Sequence, residues 1–336
     1  LALPPEGNFK GVAHEGLFRA LKYYGYEGAA IVISKRGHYS FRKAADLLGI
    51  GRDYLISVET DADNRIDLDA LRETCCRLKK ENICILSVIG IAGTTETGNI
   101  DPLEEMAEIA REFKAHSVTL DAHKQLYVPM GSGLVLFKDP KKLKSIAHHA
   151  QYVVRKGSKD LGSTTLEGSR PGMAMLIHSG LKIIAKEGYE ILIDQGIDKA
   201  KAFAEMIDAD ENFEVISYPE LNIITYRYCP DFARKALAEA DEIQMDKINA
   251  VLDRITKFIQ KTQREKGLSF VSRTRLEPIK YHLRPCVVFR VVLANPLTTL
   301  DILKDILIEQ KHIATKSEDI QNAFKLLKTL CSKDNI

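Results

Sequence analysis

The 336 residues include 48 basic and 46 acidic side chains, for a formal net charge of +2, and 45% of them are hydrophobic. This is the composition of a globular chain with a sizeable core, and its evenly spread charge gives no electrostatic footprint for nucleic acid or a membrane surface. The longest apolar runs, such as Cys286 to Val292, fall far short of the roughly 20 residues a membrane helix needs, and Arg290 interrupts that one.

The six cysteines form no CxxC pair, so neither a zinc site nor a disulfide framework is indicated and no metal is expected; a reducing cytoplasm fits. Leu1 to Pro5 lack the basic start and apolar core of a signal peptide, and there is no initiator Met. The expectation is a chain that begins inside a longer polypeptide. Its length predicts two domains.

In chain order, Ala29 to Ser34 reads as a strand, followed by a Gly-His-Tyr-Ser turn and a helix in which Phe41, Ala44, Ala45 and Leu48 recur at helical spacing. Ser40 is the expected N-cap and Gly49 the stop. Ile83 to Ile89 reads as a buried strand and Gly93 to Asn99 as a polar loop, with Asp101-Pro102 opening a helix through Phe113. Ser117 to Leu120 and Gly133 to Phe137 read as further strands. Alternating buried strands and helices predict an α/β domain built on a mostly parallel sheet covered on both faces.

After Pro171 long helical periodicity takes over. Strands follow at Phe213 to Ser217, Leu221 to Tyr228 and Cys286 to Leu293, with a charged helix from about Asp241 to Gln263. This texture predicts a smaller α+β domain, with the boundary between residues 185 and 205. No repeat or low-complexity segment is present.

Ligands of a doubly wound sheet gather at the carboxyl ends of its strands. Three such ends carry polar residues: His38, the Thr94-Thr95 loop, and Asp121-Ala122-His123-Lys124. Lys124 follows an apolar strand, so its surroundings are expected to be buried, which would depress its pKa and make it a competent nucleophile. The alternative is an inert surface lysine at a strand end. His38 could lie against a planar cofactor, act as an acid or base, or simply cap a turn. Thr94 and Thr95 offer hydroxyls in a tight loop, and turn chemistry alone would account for them.

Arg290 sits in a strand that is otherwise apolar on both faces, where a guanidinium is costly without an anionic partner. A substrate carboxylate held bidentately and an internal Asp or Glu are equally good partners. His148-His149 has no accompanying acidic or cysteine set and reads as a solvated helix end. No glycine-rich nucleotide loop of the GxGxxG or GxxxxGK[ST] kind occurs.

Four stretches together resemble a known family. Ser117-Val118-Thr119-Leu120-Asp121-Ala122-His123-Lys124 resembles the cofactor-lysine motif of the group II pyridoxal-phosphate decarboxylases. Gly37-His38-Tyr39-Ser40 looks like their ring-stacking histidine, and Gly93-Thr94-Thr95-Glu96-Thr97-Gly98 with Asp101-Pro102 looks like their GTT loop. Phe289 to Pro296 resembles their carboxylate-gripping arginine strand. The resemblance runs from about Phe9 to Gln310 and is greatest to the bacterial aspartate 1-decarboxylases, a branch often labelled glutamate decarboxylases.

The resemblance implies fold type I, like aspartate aminotransferase, with a large pyridoxal-phosphate domain over residues 1–190 and a small C-terminal domain over 191–336. It implies a carboxy-lyase in which Lys124 carries the cofactor as a Schiff base and His38 stacks on the ring. His123, Asp121, Thr95 and Thr94 would line the cofactor, and Arg290 would hold a substrate carboxylate. It also implies a homodimer acting on an amino acid, aspartate to β-alanine first and glutamate to 4-aminobutyrate second, with Tyr152 a candidate proton donor.

The chain departs from the family in two places. An SGGT-type phosphate loop would precede its start, and an HVDAA-type strand, whose aspartate pairs with the pyridine nitrogen, would lie between His116 and Ser117. Segments of a longer polypeptide are therefore expected outside this sequence. The alternatives are a non-catalytic paralogue with an incomplete cofactor site and an enzyme that uses the same cofactor for transamination or another lyase reaction.

Overall fold

A computed structural model describes residues 5–111, 117–139, 143, 146–150, 154–155, 157, 161–165, 171–316 and 318–332. Tyr152, His116 and the join from Phe113 to Ser117 lie outside them. The chain divides into two compact units. The first comprises residues 1–59, 66–91 and 102–189; the second comprises 60–65, 92–101 and 190–336.

The first unit begins with α1 (Val12–Tyr24), then β1 (Gly28–Ser34), α2 (Ser40–Leu47), β2 (Leu55–Val58), α3 (Leu68–Lys80), β3 (Ile83–Ile89) and α4 (Leu103–Arg111). β1 is central in a three-stranded sheet of order β2-β1-β3, all parallel. Successive β1 side chains point to opposite faces. Ala30 and Val32 meet Leu71, Cys75 and Leu78 of α3 and Met106 and Ile109 of α4, whereas Ala29 joins Cys84 and Ala20 of α1. Both faces are covered, which is why β1 is apolar almost throughout.

β4 (Ser117–Leu120) and β5 (Leu134–Phe137) form a separate two-stranded antiparallel ribbon, in which all four β4 residues are exposed. α5 (Met173–Ile183) follows. α6 (Ala185–Asp208) then leads into the second unit.

There, β6 (Phe213–Ser217), β7 (Ile223–Tyr228), α7 (Asp231–Glu239), α8 (Glu242–Lys266), β8 (Ser272–Leu276), β9 (Cys286–Val292), α9 (Leu300–Lys316) and α10 (Glu318–Leu330) complete the chain. The four strands form an antiparallel sheet of order β6-β7-β9-β8. Tyr226 packs edge-on against Phe203 of α6, and its hydroxyl donates to Gln310 of α9. Its neighbour Arg227 faces the other way. There the fully buried guanidinium donates from Nε to Glu214 at 2.9 Å and from a terminal nitrogen to Asn249 of α8 at 2.8 Å. Asp241 caps α8 by accepting from the amide of Gln244.

The helix after β1 starts differently from the expectation. Tyr39 occupies the N-cap position without a side-chain cap, and Ser40 is the first helical residue. β2, α3 and β8 were not anticipated from the sequence. No helix of the described residues is long and apolar enough to cross a membrane.

Candidate active site

The end of β1 turns sharply. The amide of Gly37 donates to the carbonyl of Ser34 at 2.7 Å, and a Cβ at Gly37 would lie 2.9 Å from that carbonyl oxygen, so a side chain here would force the turn to shift. The turn places His38, half-buried, directly after the strand. Its Nδ1 lies 2.8 Å from Ser40 Oγ and 3.3 Å from the Ser40 amide. An amide can only donate, so this contact fits the tautomer whose proton is on Nε2. His38 thus closes the first turn of α2, and its ring lies 4.3 Å from that of Tyr39.

Lys124 stands on the turn after β4, where its amide donates to the Asp121 carbonyl at 3.0 Å. Tyr127 closes the turn with φ +53°. The expectation of a buried lysine is corrected here: the Lys124 side chain is 61% exposed, and its Nζ pairs with Asp121 Oδ2 at 2.7 Å. The cause is the β4–β5 ribbon, whose exposed strand leads into the turn without burying it.

Asp121 is held below the usual carboxylate range, first by the hydrogen bond from Lys124, with burial opposing, the charge of Lys124 adding to the effect, and smaller electrostatic contributions from the nearby His123 and His38 rings. That set brings His38, Asp121, His123 and Lys124 into one electrostatic neighbourhood. The Nδ1 of His123 lies 3.1 Å from the carbonyl oxygen of Ser132. Tyr189 was not anticipated from the sequence, yet its hydroxyl donates to the Leu126 carbonyl at 3.0 Å and ties the lysine turn down. No local pattern marks it.

In the second unit the 92–101 loop is held from within. Thr94 is fully buried; its hydroxyl lies 2.8 Å from that of Thr97 and accepts from the Asn99 amide at 3.1 Å. These bonds occupy Thr94 inside the loop, while Thr95 is half-buried. Arg290 of β9 donates from Nε to the carbonyl of Thr95 at 2.7 Å. Burial lowers the pKa of its guanidinium, with Glu96 opposing. Among the described residues no carboxylate forms an ion pair with Arg290. Its cross-strand partners are Thr225 and Ser272, so a polar row crosses three strands of the sheet at this point.

His148 donates its amide to Ser163, and no metal-ligating cluster occurs among the described residues.

The family model described as "Pyridoxal-dependent decarboxylase conserved domain" matches residues 25–116 and 114–229. The chain belongs to this family. It is 53% identical to an aspartate 1-decarboxylase from Aliivibrio fischeri over 94% of this chain and 63% of that protein. An L-2,4-diaminobutyrate decarboxylase from Rhizobium meliloti is 26% identical over 84% of this chain and 59% of that one. The chain therefore spans about three fifths of the length of these relatives.

Mouse CSAD in its apo form superposes with a TM-score of 0.76 at 21% identity, over 91% of this chain and 67% of that one, and shows the shared fold-type-I architecture. The two family matches meet at residues 114–116. The alignment with the Aliivibrio enzyme runs to 344 positions, more than this chain's 336 residues, so that relative carries residues without a counterpart here.

The family's cofactor is pyridoxal phosphate, an aldehyde whose covalent attachment calls for a primary amine. Lys124 offers one, on an anchored turn with a carboxylate and two imidazoles in the same neighbourhood. The donor set fits the group.

Proposed function

We propose that the protein decarboxylates L-aspartate to β-alanine with pyridoxal phosphate. The observation that carries this reading is the 53% identity to an aspartate 1-decarboxylase over 94% of the chain. Lys124, on the turn after β4, supplies the primary amine that covalent attachment needs.

Residues 1–190 would be the cofactor-binding domain and 191–336 the smaller one. Lys124 holds the cofactor covalently, and Asp121 keeps the amine in place until attachment. His38 lies against the ring, with its Nδ1 fixed by the start of α2. His123 flanks the lysine. Thr95 would contribute to cofactor binding, with Thr94 holding its loop in shape. Arg290 grips a substrate carboxylate through the terminal nitrogens that the Thr95 carbonyl leaves free.

When bound, the cofactor supplies the electron sink for the pair left at Cα as carbon dioxide departs. The protein's part is to attach the cofactor and to orient the substrate. The enzyme is further proposed to act as a cytoplasmic homodimer. We also place a segment of the full polypeptide between His116 and Ser117, where the two family matches meet.

The test is to incubate the protein with pyridoxal phosphate and measure carbon dioxide and amine released from L-aspartate and, separately, L-glutamate. Preferential release of β-alanine supports the reading. Preferential turnover of glutamate shifts the substrate, transamination without carbon dioxide changes the reaction, and failure to develop the visible absorbance of a lysine-bound cofactor points to a non-catalytic paralogue.

A further inference from the structure

Glu220, in the turn between β6 and β7, gathers two other parts of the second unit. Its Oε1 accepts from Asn99 Nδ2 at 2.9 Å and from Arg65 Nε at 2.9 Å, and its Oε2 accepts from the backbone amide of Ile100 at 3.0 Å. A terminal nitrogen of Arg65 adds an ion pair at 2.8 Å.

Both segments it reaches are held by hydrogen bonds of their own. Asp61 Oδ1 accepts from the amides of Asp63 and Arg65, which fixes the turn that presents Arg65. On the other side Asn99, 3% exposed, closes the 92–101 loop through its carbonyl, which accepts from the amides of Gly93 and Thr94. Burial of Glu220 raises its pKa, but the Asn99 and Ile100 hydrogen bonds and Arg65 more than offset this and keep it ionised.

Asn99 is joined to Thr94, and the next residue, Thr95, lends its carbonyl to Arg290. Displacing the loop stem would carry the Thr95 carbonyl with it, and with that the direction of the guanidinium.

We propose that Glu220 is a positioning residue for substrate binding, which sets the guanidinium of Arg290 through the 92–101 loop. The inference rests on the reading of Arg290 as the carboxylate-binding group. Among the described residues, Glu220 accepts hydrogen bonds from Asn99, Ile100 and Arg65 and not from Arg290 itself. Its loss should therefore weaken substrate binding while cofactor attachment persists.

Glu220→Gln is the direct variant. One of its two oxygens becomes an amide nitrogen, so a donor faces either the Ile100 amide or the pair Asn99 and Arg65, and the charge opposite Arg65 is gone. The experiment measures kcat and KM for L-aspartate, the cofactor's visible absorbance, and competitive inhibition by succinate, a dicarboxylate that cannot react.

The expected result is a rise on the order of tenfold in both KM and the succinate inhibition constant, as for the loss of a charged hydrogen bond. The cofactor band should be unchanged and kcat within about twofold of the parent, since transition-state contacts are retained. A folded variant with parental KM and succinate inhibition overturns the proposal, and so does a fall in kcat with KM unchanged.

If Glu220→Gln does not fold, Asn99→Ala and Arg65→Ala each remove one partner of the carboxylate. A larger KM rise in Asn99→Ala, which acts on the loop directly, supports the proposal; parental KM in both overturns it. Failure of the parent protein to turn over aspartate or bind succinate would instead count against the proposed function itself.

Discussion

The Nζ of Lys124 lies 2.7 Å from the carboxylate of Asp121, three residues earlier on the turn that leaves β4. The amine is thereby held in the open, at a fixed place, by a group that stays ionised because the same hydrogen bond keeps its pKa low. Lys124→Ala should abolish covalent attachment of pyridoxal phosphate and lower decarboxylation by at least roughly a hundredfold. Borohydride reduction followed by peptide mapping is the check. A pyridoxyl adduct that persists on another lysine of the variant, with activity retained, would refute the assignment.

Arg290 presents a planar fork whose Nε is already committed to the Thr95 carbonyl. Arg290→Lys keeps the charge but loses both the fork and that bond, so the substitution is not conservative. KM for aspartate should rise about 10- to 100-fold, the scale of one or two charge-assisted hydrogen bonds. Steady-state kinetics that return the parental KM would exclude Arg290 from carboxylate binding.

The buried pair in the second unit should dominate its acid sensitivity. Burial pushes the Glu214 carboxyl up, but Arg227, Lys280 and Tyr281 bring it down to about 2. A folded-state pKa below the unfolded value stabilises the native state fully above about pH 4.5, and the gain drains away as pH falls towards about 2. Glu214→Gln leaves the Arg227 charge buried without its anion and should cost about 3–5 kcal/mol at neutral pH. Urea unfolding at pH 7 and pH 3 should show the gap between parent and variant narrowing in acid. A constant gap would mean that Glu214 does not titrate in this way.

Gly98 adopts φ +76°, and a Cβ there would lie 2.8 Å from Ile223 Cβ of β7. Gly98→Ala therefore meets both a left-handed backbone and a clash, together about 1–3 kcal/mol. A lower melting temperature and a raised KM for aspartate are expected together, because the same loop carries Thr95. A melting temperature equal to the parent's would show that the loop accommodates the methyl group.

Legibility in the sequence followed how local each signal was. β1 and β3 are read easily because strands buried on both faces become continuous apolar runs. β2, with only four residues, is too short to stand out, and β8 has the sequence Ser-Arg-Thr-Arg-Leu, in which Arg273 and Arg275 point to solvent from the edge of the sheet. The motif marks Lys124 but not its exposure, since a four-residue strand such as Ser-Val-Thr-Leu looks the same whether or not another layer covers it.

Arg290 announced itself as a charge in an apolar strand. Glu220 could not: it is one acid in a polar turn, and its partners lie 120, 121 and 155 residues earlier. Tyr189 is hidden for the same reason, with its hydroxyl reaching a carbonyl 63 residues away.

Those separations also order events in time. A nascent chain long enough to contain the whole 92–101 loop still lacks Glu220, and one that contains Glu220 still lacks Arg290, 195 residues beyond Thr95. Because synthesis proceeds at about 5–20 residues per second, the loop exists for several seconds before the residue that clamps it. The bond from Tyr189 to the lysine turn can form earlier than either of these. The Arg290–Thr95 contact is thus among the later features to set during synthesis, and ribosome-bound chains ending before β9 should lack it altogether.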